Sequence, residues 1–146
     1  MKDISLATQP LTDADEKLID HATEVTKTAF DPEKWGGAHI VGAALRTDSG
    51  EVYTGVSMPA SVGRVSMCAE PVALGSAIAD GKTEFATSVA VRHPLPDENR
   101  DFEVVPACGV CRELLADYGS DIEIIVPHDG ELRKADALAL LPTRNW

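Results

Sequence analysis

Apolar positions at Leu18, Ala22, Val25 and Ala29 recur at helical spacing after Thr12 and Asp15, a residue pair that suits a helix cap. They predict an amphipathic helix that Asp31-Pro32 ends, followed by a Trp35-Gly36-Gly37 loop. Ala38 to Leu45 and Glu51 to Val56 read as two strands joined by Thr47-Asp48-Ser49-Gly50, which has hairpin turn chemistry. Met58 to Met67 reads as a long connection. Cys68 to Asp80 is apolar nearly all round, so it predicts a buried helix, with Pro71 in its first turn and Gly81 just past its end.

Downstream, the pattern predicts a strand over Ser88 to Arg92 and a loop or flap over His93 to Val105. A helix over Gly109 to Tyr118 stops at Gly119, and Ile122 to Val126 forms the next strand. Pro127 to Gly130 is a turn, Glu131 to Lys134 a short edge strand, and Ala135 to Leu141 a short helix ended by Pro142. No internal repeat or composition shift divides the chain, so residues 1–146 are expected to form a single domain. Strands alternating with helices predict an α/β fold, with helices packed on the faces of a partly parallel sheet.

Composition narrows the function. The 146 residues are 44% hydrophobic and 25% charged, ordinary values for a globular chain. Their formal net charge of -11, with no basic run, disfavours a nucleic acid polymer or an anionic membrane as partner. No apolar stretch reaches membrane-spanning length, and Met1-Lys2-Asp3-Ile4-Ser5 lacks a signal peptide's apolar block, so a cytoplasmic protein is expected.

The three cysteines are too few for a disulfide framework and are spaced suggestively: Cys68 alone, then Cys108 and Cys111 as Cys-x-x-Cys. Each group opens a predicted helix, where unpaired N–H groups and the helix dipole favour thiolates. Three thiolates suit Zn²⁺ and leave its fourth position open, the mark of a catalytic rather than a structural site. Glu70, two residues past Cys68, can stand beside that position and pass a proton from water to a leaving amine. Arg112, next to Cys111, can offset the thiolate charge. Other readings of the same residues are a structural zinc closed by His93 or His128, a redox pair at Cys108 and Cys111, and a Glu70 that merely complements a helix dipole.

Cys68-Ala69-Glu70 together with Pro106-Ala107-Cys108-Gly109-Val110-Cys111-Arg112 resembles the signature of the zinc-dependent cytidine deaminase family. With Cys as first ligand, it resembles the subgroup acting on free nucleosides, which includes cytidine and blasticidin S deaminases. Val41-Gly42-Ala43-Ala44-Leu45, the hairpin to Tyr53-Thr54-Gly55, and Leu140-Leu141-Pro142 fit the same layout. The resemblance implies a three-layer fold with a five-stranded mixed sheet and zinc held by Cys68, Cys108 and Cys111. It further implies Glu70 as proton shuttle, a small-molecule substrate (a nucleoside or related amino-pyrimidine) and a homotetramer with sites near subunit boundaries. The C-terminal aromatic, Trp146, would then approach a neighbour's site, and Ala69 would stand among the substrate contacts.

Several positions depart from the family pattern. The Asn-x-Glu that holds ribose hydroxyls in the family falls, without a gap, on Ser57 and Pro59. The aromatic position beside the pyrimidine is His39, and the basic residue after the catalytic Glu is Pro71. These departures also allow a zinc-containing binding protein of the same fold that has lost catalysis.

Overall fold

The computed structural model describes residues 5–146; Met1 to Ile4, on which part of the signal-peptide reading rests, lie outside the described residues. Helix α1 spans Asp13–Ala29 and begins with a full capping box: Asp15 N–H donates to Thr12 Oγ1 (3.3 Å) and Thr12 N–H donates to Asp15 Oδ2 (2.8 Å). Its buried stripe is Asp15, Leu18, Ala22 and Thr26, so Thr26 takes the central place expected of Val25.

Strands β1 (Val41–Thr47) and β2 (Val52–Val56) form the expected antiparallel hairpin. A 3-10 turn at Gly63–Val65 interrupts the long connection to helix α2 (Ala69–Ala79). Strand β3 (Phe85–Arg92) starts before the predicted segment, and Glu103–Val105 forms a short strand, β4. Helix α3 (Gly109–Tyr118) leads into β5 (Glu123–His128) and β6 (Glu131–Asp136).

The sheet runs β2-β1-β3-β5-β6, with β3 and β5 parallel, and β4 pairs antiparallel with the end of β3. Two separate cores cover its faces. Leu18 and Ala22 of α1 pack with Ala44, Val89, Val91 and Ile125 on one face. Ala73, Leu74 and Ala77 of α2 pack with Cys111 and Leu115 of α3 and Ile124 and Val126 of β5 on the other. The result is the three-layer α/β fold expected.

Two expectations are corrected. The sheet has six strands rather than five, because β4 forms inside the segment expected to be a loop; Val104 of that strand is buried against the α1-side core. The helix expected over Ala135 to Leu141 is absent. Lys134, Ala135 and Asp136 pair with Ile125, Ile124 and Glu123, and only a 3-10 turn at Leu138–Leu140 follows. The Ala- and Leu-rich composition favours helix locally, but the ladder to β5 satisfies the same backbone groups and buries Ala135 and Ala137.

A buried ionic network ties α1 to the sheet. Asp15, fully buried, accepts from Arg46 Nη2 (2.9 Å) on β1 and pairs with Lys134 Nζ (3.0 Å) on β6. Arg46 Nη2 also donates to Thr87 on β3, and Lys134 pairs with Glu123 on β5. Burial alone would raise the Asp15 carboxyl, but the Thr12 N–H, Arg46 and Lys134 outweigh it and bring it down to about 2, against 3.8 ordinarily. A depressed carboxyl contributes stability above its ordinary value and loses that contribution as the pH falls toward its folded value. Asp15→Ala is therefore expected to cost about 3 kcal/mol in urea unfolding near neutral pH, since it takes the carboxylate from the half-buried Arg46 and leaves the buried Lys134 with Glu123 alone. The gap between the variant and the natural chain should narrow as the pH falls from about 4 to about 2.

Gly55 brings α2 onto β2. A Cβ there would lie 2.5 Å from Ala73 N and 2.8 Å from Ala69 O, both backbone atoms of α2. This contact sets the height at which the start of α2, with Cys68 and Glu70, rests over the sheet.

Candidate active site

Two helix starts meet at the edge of the sheet where β1 begins and β2 ends. Cys68 is the N-cap of α2 and Cys108 the N-cap of α3; both have extended backbone, and neither side chain caps its own helix. Cys111 lies in the first turn of α3, on the face that enters the core, and is fully buried. The Cys68 and Cys108 sulfurs are 3.5 Å apart, as are those of Cys108 and Cys111, and all three sulfurs lie within 4.8 Å of one another.

Electrostatics at this cluster follow from burial and the helix starts. Burial, helped by the Cys108 sulfur, pushes the Cys68 thiol up. Burial also pushes Cys111 far up, and the Glu70 carboxylate adds to the effect. Cys108 goes the other way: burial opposes its thiolate, but the Cys111 and Val110 N–H groups and the two neighbouring sulfurs outweigh that and lower it. Of the three thiols, Cys108, at the tip of α3, is the one whose thiolate its surroundings favour.

The donor set fits zinc. Tetrahedral coordination with metal–sulfur bonds of about 2.3 Å sets sulfurs about 3.8 Å apart, near the observed spacing. A disulfide needs about 2.05 Å, and all three cysteines are free. Among the described residues, no His, Asp or Glu joins the three sulfurs as a fourth donor. His93 is stacked on Phe30 (ring centroids 4.0 Å) and edge-on to Phe102, while His128 pairs with Asp129 at the β5–β6 turn. The cluster thus offers three protein ligands, the arrangement of an open site.

Glu70 is buried at 6% exposure, and its Oε2 accepts from the Cys111 thiol at 3.3 Å. It stands beside the sulfurs and lines a cavity of about 280 Å³ with Cys68, Cys108, Ala69, Ser57 and Val41. Val105 and Pro106, at the end of β4, close another side. Their role was not legible in the sequence; an apolar Val104-Val105 pair running into the Pro106-Ala107-Cys108 turn was the available signal.

The other expected site residues lie around this cavity or away from it. Arg112 donates from Nε to the Ala107 carbonyl (2.8 Å), so it braces the turn that presents Cys108 instead of a sulfur. His39 lies in an adjoining cleft with Ser57, Pro59, Ser66 and Met67. Trp146 is 77% exposed; its ring lies 5.5 Å from Arg144 Cζ, and Arg144 is held by Glu113 and Asp117 along α3. Within one protomer Trp146 does not line the cavity.

No model of a protein family matches the chain. Individual relatives do. A blasticidin-S deaminase of Bacillus cereus is 41% identical over 149 aligned residues, covering 99% of this chain and 100% of that protein. A probable cytidine deaminase of Dictyostelium discoideum is 30% identical, covering 87% of this chain and 80% of its own. Among solved structures, the cytidine deaminase of Burkholderia pseudomallei matches with a TM-score of 0.69 and 29% identity, over 92% of this chain and all of that one.

Proposed function

The chain belongs to the cytidine deaminase family, and from that premise we propose that it is a zinc-dependent aminohydrolase of an amino-pyrimidine, with Cys68, Cys108 and Cys111 as ligands. The observation that carries the reading is the convergence of three sulfurs within 4.8 Å, with the Glu70 carboxylate beside them and facing a cavity. Bound there, zinc supplies Lewis-acid chemistry that makes a water acidic near neutral pH.

This chain's own residues do the rest. The Glu70 carboxylate takes one proton from the attacking water and passes it to the ring nitrogen, then takes the second from the hydroxyl so added and passes it to the departing amine. Water oxygen bonds to the carbon that bore the amine, the carbon–nitrogen bond breaks, and ammonia leaves as a carbonyl forms. Val41, Ala69 and Pro106 give the ring apolar walls that exclude bulk water. Arg112 steadies Cys108 through the Ala107 carbonyl.

A blasticidin-S-type substrate is favoured over an ordinary ribonucleoside. The 41% identical relative carries that name, and no carboxylate other than Glu70 lines the cavity or its neighbouring cleft among the described residues. The reading extends to a cytoplasmic homotetramer. Three free thiols suit a reducing compartment, and Val62, Val65 and Val110, each more than 60% exposed, lie on the segments that carry the cavity residues Ser66 and Cys108 and would gain from cover by another copy. Such a copy is also what would bring Trp146 to a site. Among the described residues, no helix is long and apolar enough to cross a membrane.

The test is ammonia release by zinc-loaded protein offered cytidine, deoxycytidine, cytosine and blasticidin S. Turnover of blasticidin S above cytidine is expected. Silence on all four with zinc bound would overturn the enzymatic reading and leave the binding protein.

A further inference from the structure

His39 has a left-handed backbone conformation, uncommon for a residue with a Cβ although histidine adopts it more often than most. Its φ is 59°. Two contacts hold it there: the buried Thr26 hydroxyl donates to its carbonyl (2.9 Å), and its ring Nδ1 lies 2.7 Å from the Ser57 carbonyl. An uncommon conformation fixed from both sides beside a cavity points to a function for the ring.

The contact to Ser57 settles which ring nitrogen is free. A carbonyl oxygen only accepts, so Nδ1 carries the proton, and in the corresponding tautomer Nε2 carries the lone pair. Nε2 has no protein partner among the described residues. The cleft His39 lines, about 270 Å³, shares Ser57, Ser66 and Met67 with the sulfur-lined cavity, so the two adjoin across these residues. Ser57 Oγ accepts from Val41 N–H and Ser66 Oγ from Ala60 N–H, each at 3.1 Å, which leaves both hydroxyl hydrogens to donate. Pro59 offers neither donor nor carboxylate, and no Asp, Glu, Lys or Arg lines this cleft among the described residues. Its side-chain nitrogen acceptor is His39 Nε2.

Resting on the deaminase reading above, we infer that His39 is a specificity-determining residue. A pyrimidine seated at Glu70 extends its ring-nitrogen substituent into the adjoining cleft. There Nε2 accepts one hydrogen bond from a hydroxyl or ammonium on that substituent. The substrate class is an amino-pyrimidine with a donor-bearing substituent, recognised by a single neutral acceptor instead of a carboxylate spanning two hydroxyls.

The test compares the zinc-loaded chain with His39→Gly, because glycine adopts the left-handed conformation freely and keeps the backbone in place. The substrates are cytosines carrying hydroxypropyl, aminopropyl or methoxypropyl groups on the ring nitrogen; only the first two bear a donor. The variant is expected to raise KM about tenfold for a donor-bearing substrate, with kcat within about twofold and the methoxypropyl substrate unchanged. Which of the first two loses affinity tells hydroxyl from ammonium. An equal rise on all three, or on none, overturns the inference. Should the glycine variant fail to fold, the imidazole ¹⁵N titration of the natural chain, which needs no variant, carries the test.

The imidazole ¹⁵N signals of His39 give a readout that needs no turnover. They should report Nδ1 protonated in the free protein and an Nε2 shift when hydroxypropyl- or aminopropylcytosine is added. Silence of the natural chain on cytidine, deoxycytidine, cytosine and blasticidin S is what overturns the deaminase reading, and these signals decide the role of His39 independently of it. An Nε2 signal unmoved by both donor-bearing compounds overturns it.

Discussion

Glu70→Gln is expected to leave zinc and fold in place and to slow deamination by about 10²–10⁴-fold. Glutamine matches glutamate in shape, so the position beside Cys111 and the packing at the start of α2 survive. What disappears is the capacity to accept and release a proton. Among the described residues the cavity lining holds no substitute base: its other side-chain polar groups are the cysteine sulfurs and the hydroxyls of Ser57 and Ser66, and His39 lies in the adjoining cleft. The loss should appear in kcat with KM little changed, because the cavity that receives the ring is unaltered. Zinc content by atomic emission and thermal unfolding should match the natural chain. Retained turnover in this variant would remove Glu70 from the chemistry.

Removal of single thiols should separate the metal's contribution from that of the core. Cys108→Ala and Cys111→Ala are both expected to lose zinc, since two sulfurs hold an ion far less firmly than three. Zinc at a thousandfold above its Kd stabilises the chain by about 4 kcal/mol, and both variants should forfeit that gain. With zinc stripped by a chelator, they should diverge. Cys108 is exposed, so its alanine variant should then unfold like the natural chain. Cys111 is fully buried among Leu115, Ala73 and Leu74, so its variant should remain less stable by roughly 1 kcal/mol, the scale of a small vacancy in a packed core. One equivalent of zinc persisting in either variant would exclude that cysteine as a ligand.

Much of the site was legible because its signals are local. The Thr12–Asp15 cap, the Thr47–Gly50 hairpin and the helix stop at Gly119 depend on residues a few positions apart. So does the placement of Cys68 and Cys108 at helix starts, where the dipole and the unpaired N–H groups act on whatever residue occupies the cap. The Cys-Ala-Glu and Cys-x-x-Cys spacings specified the chemistry of the donors, and the sulfurs do converge.

What the chain pattern left open depends on partners distant in sequence. β4 is three residues long, too short for a period to register, and exists because Val91 and Arg92 offer an open edge. Residues 135 and 136 join a strand because β5 lies beside them, although their composition favours helix. Arg112 turns to the Ala107 carbonyl because the turn before Cys108 presents that oxygen at its guanidinium. His39 takes a left-handed conformation because Thr26 and Ser57, on two other segments, grip its carbonyl and its ring. Residue type and spacing thus determined which atoms could bind a metal and move a proton. Tertiary packing decided which hydrogen-bonding groups line the cleft beside the sulfurs, since that depends on segments meeting in space and leaves no periodic trace along the chain.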